Sequence, residues 1–132
     1  MTFDDFVKGN LEVKFGASLE TLMPGFHKPT VQMISESEQC FGVFSKGIEY
    51  LFDMNQLCLV QYDISRIREM SFNRHPIKET TSLEAFKGYL AEAGVGFEEE
   101  RKDGQTILLT ATGVKLYFDG QTQCFSTAMK SW

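Results

Sequence analysis

Hydrophobic residues follow two different periods along this chain. Leu83, Phe86, Leu90 and Ala93 recur every three or four positions on one helical stripe. Thr81, with Glu84 three residues on, reads as the capping box that opens this helix, and Gly94 as its stop. Beyond it the period changes to two. Val114, Leu116 and Phe118 alternate with Lys115, Tyr117 and Asp119, the pattern of a strand with one buried face. The runs Val95 to Arg101 and Thr106 to Thr112 flank Lys102-Asp103-Gly104-Gln105, and an Asp-Gly pair between extended runs predicts a tight hairpin. Asp119-Gly120-Gln121-Thr122 should then turn the chain into a last strand around Gln123 to Ala128.

Upstream, Thr2 and Asp5 predict a short helix that stops at Gly9, and Ser18 opens a second that must end before Pro24. Strands are expected near Val31 to Ser35, Cys40 to Ser45, Ile48 to Met54 and Leu57 to Tyr62. Glu36-Ser37-Glu38-Gln39, Lys46-Gly47 and Asn55-Gln56 serve as the turns between them. Turns this short leave no room for crossover helices, so the strands should be mostly antiparallel and the fold class α+β, with two principal helices backing the strands.

The chain also repeats itself. Gly47-Ile48-Glu49-Tyr50-Leu51-Phe52-Asp53 and Gly113-Val114-Lys115-Leu116-Tyr117-Phe118-Asp119 match in order, and the same offset sets Cys58 over Cys124. Ser18-Leu19-Glu20-Thr21-Leu22 echoes Ser82-Leu83-Glu84-Ala85-Phe86 at nearly that offset. The expectation is one domain of two related halves, about 1–65 and 81–132, each a helix followed by strands. A linker of roughly Arg66 to Thr80 joins them.

Composition narrows the chemistry. The 132 residues carry 18 acidic and 13 basic side chains, a net charge of −5, which disfavours a nucleic-acid backbone as partner and favours a basic protein or no charged partner at all. No apolar run is long enough for a membrane span. An acidic start, Met1-Thr2-Phe3-Asp4-Asp5, lacks the basic and apolar regions of a secretory signal, so a cytosolic location is expected. Cys40, Cys58 and Cys124 are odd in number and lack Cys-x-x-Cys spacing, which predicts reduced, half-buried thiols rather than a disulfide frame or a zinc knuckle.

Motifs that carry catalysis are scarce. His27 and His75 have no second His or Cys at a ligating distance and read as surface loop residues, so no metal is expected. Gly9, Gly16 and Gly25 are too widely spaced for a phosphate or dinucleotide loop, and no strained nucleophile turn occurs. Neither an enzymatic activity nor a cofactor follows from these residues. Asp53 and Asp119 hold matching repeat positions and could form a carboxylate pair, yet each sits where a turn would use it. The charged runs are Glu36 with Glu38 in one turn and Glu98, Glu99, Glu100 and Asp103 around the Asp-Gly hairpin. These six acids are the candidate partner-binding residues for a basic partner, and the plainer role of Glu98 to Asp103 is a solvated strand that resists edge pairing. The 12 Phe and 4 Tyr, mostly at alternating positions, read as core.

Gly16-Ala17-Ser18-Leu19-Glu20 leading to Leu22-Met23-Pro24-Gly25, then Lys46-Gly47-Ile48-Glu49-Tyr50-Leu51-Phe52 with Leu57-Cys58-Leu59-Val60, resembles the small bacterial immunity proteins encoded beside polymorphic toxins. Ser82-Leu83-Glu84, Ala93-Gly94-Val95 and Thr112-Gly113-Val114-Lys115-Leu116-Tyr117-Phe118 resemble the C-terminal half of the same group. Met23-Pro24-Gly25-Phe26 departs from the group's Leu-Gly-x-Pro order. The resemblance implies a protein that binds and neutralises a cognate toxin, with no catalytic residues to carry over; with the expected cytosolic location, the toxin would be met in the cytosol, and a monomer rather than a dimer is expected. The alternatives are a secretion-effector chaperone, expected as a homodimer, and a small ligand-binding domain.

Overall fold

The computed structural model describes residues 1–132. Short antiparallel strands dominate it because each pair of extended runs is separated by residues that tolerate positive φ. Lys46-Gly47 (φ 53° and 80°), Met54-Asn55 (52° and 56°) and Asp103-Gly104 (52° and 74°) each form a two-residue turn whose left-handed backbone matches strand twist. The third turn of the first half thus uses Met54-Asn55, one residue earlier than the expected Asn55-Gln56. The resulting strands are β1 (Thr30–Ser35), β2 (Cys40–Ser45), β3 (Ile48–Asp53) and β4 (Gln56–Asp63) in the first meander. A two-residue hairpin, β5 (Ser71–Phe72) and β6 (His75–Pro76), follows. The second meander comprises β7 (Phe97–Lys102), β8 (Gln105–Thr110), β9 (Lys115–Asp119) and β10 (Phe125–Ser131).

The two meanders fuse through their last strands. β4 pairs antiparallel with β10, giving one eight-stranded antiparallel sheet in the order β1-β2-β3-β4-β10-β9-β8-β7. Its register sets Ile48, Tyr62, Ala128, Leu116 and Leu108 side by side across five strands, and all five are buried. This row crosses the β4–β10 seam without a break, so the halves share one core. The period-two reading of the strands is correct here: Phe52, Val114, Leu116 and Phe118 are fully buried.

Three helices pack on that face of the sheet: α1 (Phe3–Val7), α2 (Leu19–Leu22) and α3 (Leu83–Glu92). Thr2 accepts a hydrogen bond from the Asp5 amide at the start of α1. Only α3 exceeds five residues, so the expected pair of principal helices reduces to one. Pro24 ends α2 after a single turn, and the chain continues through a 3₁₀ turn at Met23–Gly25. The α3 cap is Ser82, which accepts from the Ala85 amide, rather than Thr81. Thr81 is occupied one turn earlier, accepting from the Lys78 amide at 2.8 Å. Asn55 ties α2 to the sheet, accepting from the Leu19 amide and donating to Glu20.

Aromatic rings fill the space between helices and sheet. Phe86 of α3 lies 5.3 Å from Phe125 and 5.7 Å from Phe118, and Phe3 of α1 lies 5.2 Å from Tyr62, mostly at tilted or edge-to-face angles. Residues 66–80 are packed as well, since Phe72 and Ile77 are both buried in the same cluster. The opposite face of the sheet carries no helix. Half-buried Phe44 and Met129 lie there in register with Glu49, Gln61 and Lys115, and half-buried Leu51, Leu59 and Tyr117 share that face. No helix is long and apolar enough to cross a membrane.

Candidate interaction surfaces

The six candidate acids occupy opposite borders of the sheet. Glu36 and Glu38 lie exposed in the turn after the edge strand β1. This turn is pinned from below, because the Glu38 and Gln39 carbonyls accept from the Met54 and Asn55 amides of the neighbouring turn. Glu98, Glu99 and Glu100 lie on β7, the edge strand at the other border, with Asp103 in its hairpin. Eight strands at about 4.8 Å spacing place the two edges roughly 34 Å apart. The acids therefore form two separate patches. Alternation along β7 divides the second patch further. Glu99 points to the helix side and pairs with Lys87 of α3, while Glu98 and Glu100 fall on the bare face. Glu99, followed by Glu84, raises the Lys87 pKa above its ordinary value. Free charge for a partner is thus concentrated on Glu98, Glu100 and Asp103.

Topology also separates Asp53 from Asp119. Three antiparallel steps lie between β3 and β9, so these two strand ends point toward opposite ends of the sheet. Asp119 performs the expected turn role, accepting from the Gln121 and Thr122 amides at 2.8 and 2.9 Å. Those amides, Thr122 first, hold its carboxyl below the usual carboxylate range. The Asp53 carboxylate accepts no hydrogen bond.

The two histidines differ. His27 is exposed, and its backbone exchanges hydrogen bonds with the Ser45 hydroxyl. His75 is half-buried, lies flat on Tyr89 at 3.9 Å and meets the Glu92 carboxylate at 2.8 Å. That stacking was illegible from a loop-like Asn73-Arg74-His75-Pro76 string, because it depends on β5–β6 folding over α3. No three His, Cys, Asp or Glu side chains are grouped so as to hold a metal ion. The three cysteines are half-buried and unbonded to one another. Burial, and then the Asp53 charge, pushes the Cys58 thiol up.

Two clefts open beside the N-terminal segment. One, of about 270 Å³, runs between that segment and the sheet and includes Glu12, Phe26, His27, Lys46 and Tyr50. Tyr50 stacks on Phe26 at 4.6 Å, and desolvation, reinforced by Glu12, pushes its phenol up to about 12. The adjoining cleft, of about 550 Å³, includes Phe3, Ile67, Met70 and Tyr62. The Tyr62 hydroxyl is buried without a hydrogen-bond partner, and burial raises its pKa strongly. Neither cleft places a nucleophile within hydrogen-bond reach of a base.

The surface least anticipated from sequence is β1 itself. Thr30-Val31-Gln32-Met33-Ile34-Ser35 contains no charge, and Val31, Met33 and Ile34 are 42, 55 and 62% exposed. The missed signal was this lack of charge in a strand lying first in its meander, which left it without an outer neighbour. No protein-family pattern, curated protein or solved structure matches this chain.

Proposed function

We propose that this protein is an immunity protein, which binds a cognate bacterial toxin in the cytosol and neutralises it by occupying its working surface. The reading comes from the turn and strand segments that resemble that group, Gly16 to Gly25, Lys46 to Phe52 and Thr112 to Phe118. The observation that best supports it is the surface itself: a continuous eight-stranded sheet offers one helix-free face bordered by acidic Glu98, Glu100 and Asp103. Blocking a basic toxin requires a stable shaped surface and opposite charge, without reactive groups.

The two meanders are, on the same proposal, related halves. Gly47–Asp53 and Gly113–Asp119 each supply the strand preceding the seam strand, and each begins after a glycine at positive φ. The decisive experiment expresses the adjacent gene product in a host with and without this chain. Restored growth, together with a 1:1 complex of the two purified proteins, is the expected result. A toxic neighbour that neither binds this chain nor is relieved by it overturns the reading.

A further inference from the structure

The geometry points to β1 as a self-association edge: two copies pair β1 against β1 antiparallel, joining their sheets into one. This inference is independent of toxin binding, replaces the monomer expected from the sequence with a weak dimer, and rests on three features. First, β1 carries none of the charges or prolines that keep an edge strand solitary along its regular stretch. Thr30 to Met33 pair continuously with Phe44 to Phe41 of β2, contain neither charge nor proline, and leave the outer border of the strand open. The irregularity between Met33 and Ser35 limits pairing to this stretch and a short continuation.

Second, the faces match under the symmetry such a pair requires. A two-fold axis perpendicular to the sheet sets one residue opposite its own copy. With Gln32 on the axis, Val31 of each copy opposes Met33 of the other on the helix side of the sheet. Both side chains lie in register with core residues, Val43 and Phe41, yet neither is covered within one chain. Cross-strand pairing at about 5 Å would cover both.

Third, the ends of the strand are complementary in charge. His27-Lys28 precedes it and Glu36-Ser37-Glu38 follows, so antiparallel pairing places Lys28 of each copy beside the acidic turn of the other. A parallel arrangement would instead set like charges together. The other edge, β7, carries five consecutive charged residues, Glu98 to Lys102, which keep that border solvated and disfavour a further strand. Self-pairing therefore stops at a dimer.

A contact of one short strand falls below the roughly 1,200 Å² of a standard interface, so dissociation constants weaker than about 1 µM are expected. Sedimentation equilibrium of the full chain, over about two decades of concentration around 100 µM, should show the mass rise from 15.0 kDa toward twice that value. Val31→Lys should raise the dissociation constant at least about tenfold, with an unchanged circular dichroism spectrum showing that it folds. Lys28→Glu should weaken association about fivefold through two symmetric contacts, and adding Glu36→Lys and Glu38→Lys should restore it. A mass of 15.0 kDa throughout overturns the inference. So does a dimer indifferent to Val31→Lys, or a charge-swapped triple variant that fails to recover.

Discussion

The two meanders of this sheet agree in their interiors and differ at their outer edges. β3 and β9 bury alternate residues under the same helical layer, with Phe52 and Phe118 both at zero exposure. The edges have opposite chemistry: β1 is uncharged with apolar side chains exposed on both faces, and β7 is Phe-Glu-Glu-Glu-Arg-Lys. Interior positions answer to packing, which leaves little freedom. An edge strand is half-solvated, so its sequence is free to invite or refuse a further strand. In this protein the N-terminal edge invites and the C-terminal edge refuses.

The largest expected effect tests the shared interior. Phe52→Ala and Phe118→Ala should each cost about 3 to 5 kcal/mol in denaturant titration, the range for deleting a buried aromatic ring. A loss below about 1 kcal/mol at either site would show that the halves do not carry equal weight in the core. Next in size is a contrast within the matched turns. A Cβ on Gly47 would meet the Arg66 carbonyl oxygen at 2.5 Å, whereas on Gly113 its nearest neighbour is the flexible end of Lys130 at 3.7 Å. Both glycines have positive φ, so Gly113→Ala should cost about 1 kcal/mol and Gly47→Ala clearly more. Equal losses would mean that backbone conformation alone sets the penalty.

A smaller effect separates the two matched aspartates. The Asp119 pKa is depressed in the folded state, so its stabilisation is present above the unfolded value of about 3.9 and is lost as pH falls through the folded one. Asp119→Asn should therefore flatten the acid limb of a stability–pH curve below about pH 5. Asp53→Asn, at a carboxylate that accepts no hydrogen bond, is the control. Smallest in stability, and most direct for the edges, is Glu98→Val with Glu100→Val. Folding stability should move by no more than about 0.5 kcal/mol, because both side chains are exposed. Association should nevertheless extend beyond a dimer, since two of the five consecutive charges on β7 are replaced by β-branched apolar side chains. Light scattering that shows no larger species would mean that the β7 charges are not what blocks that edge.

Local features were legible because they depend on a few neighbouring residues. Asp103-Gly104 and Lys46-Gly47 specify their turns through positive φ, and Val114, Leu116 and Phe118 declare a buried face through alternation. The α3 cap was misplaced by one residue because Thr81 and Ser82 are both competent caps. The choice fell to the Lys78 amide, which engages Thr81. His75 on Tyr89 and the division of Glu98 to Glu100 between two faces needed packing and strand register respectively.

The sequence by itself determined α3, most of the sheet strands, the Lys46-Gly47 and Asp103-Gly104 turns and the buried stripes of β3 and β9, since backbone propensity and side-chain period act over a few residues. Tertiary structure alone decided that β4 pairs with β10. That pairing between strands more than sixty positions apart depends on the whole helical layer covering both seam strands at once. By placing β4 and β10 at the centre it sends β1 and β7 to the outside, and so it also decides which strands have an open edge to offer.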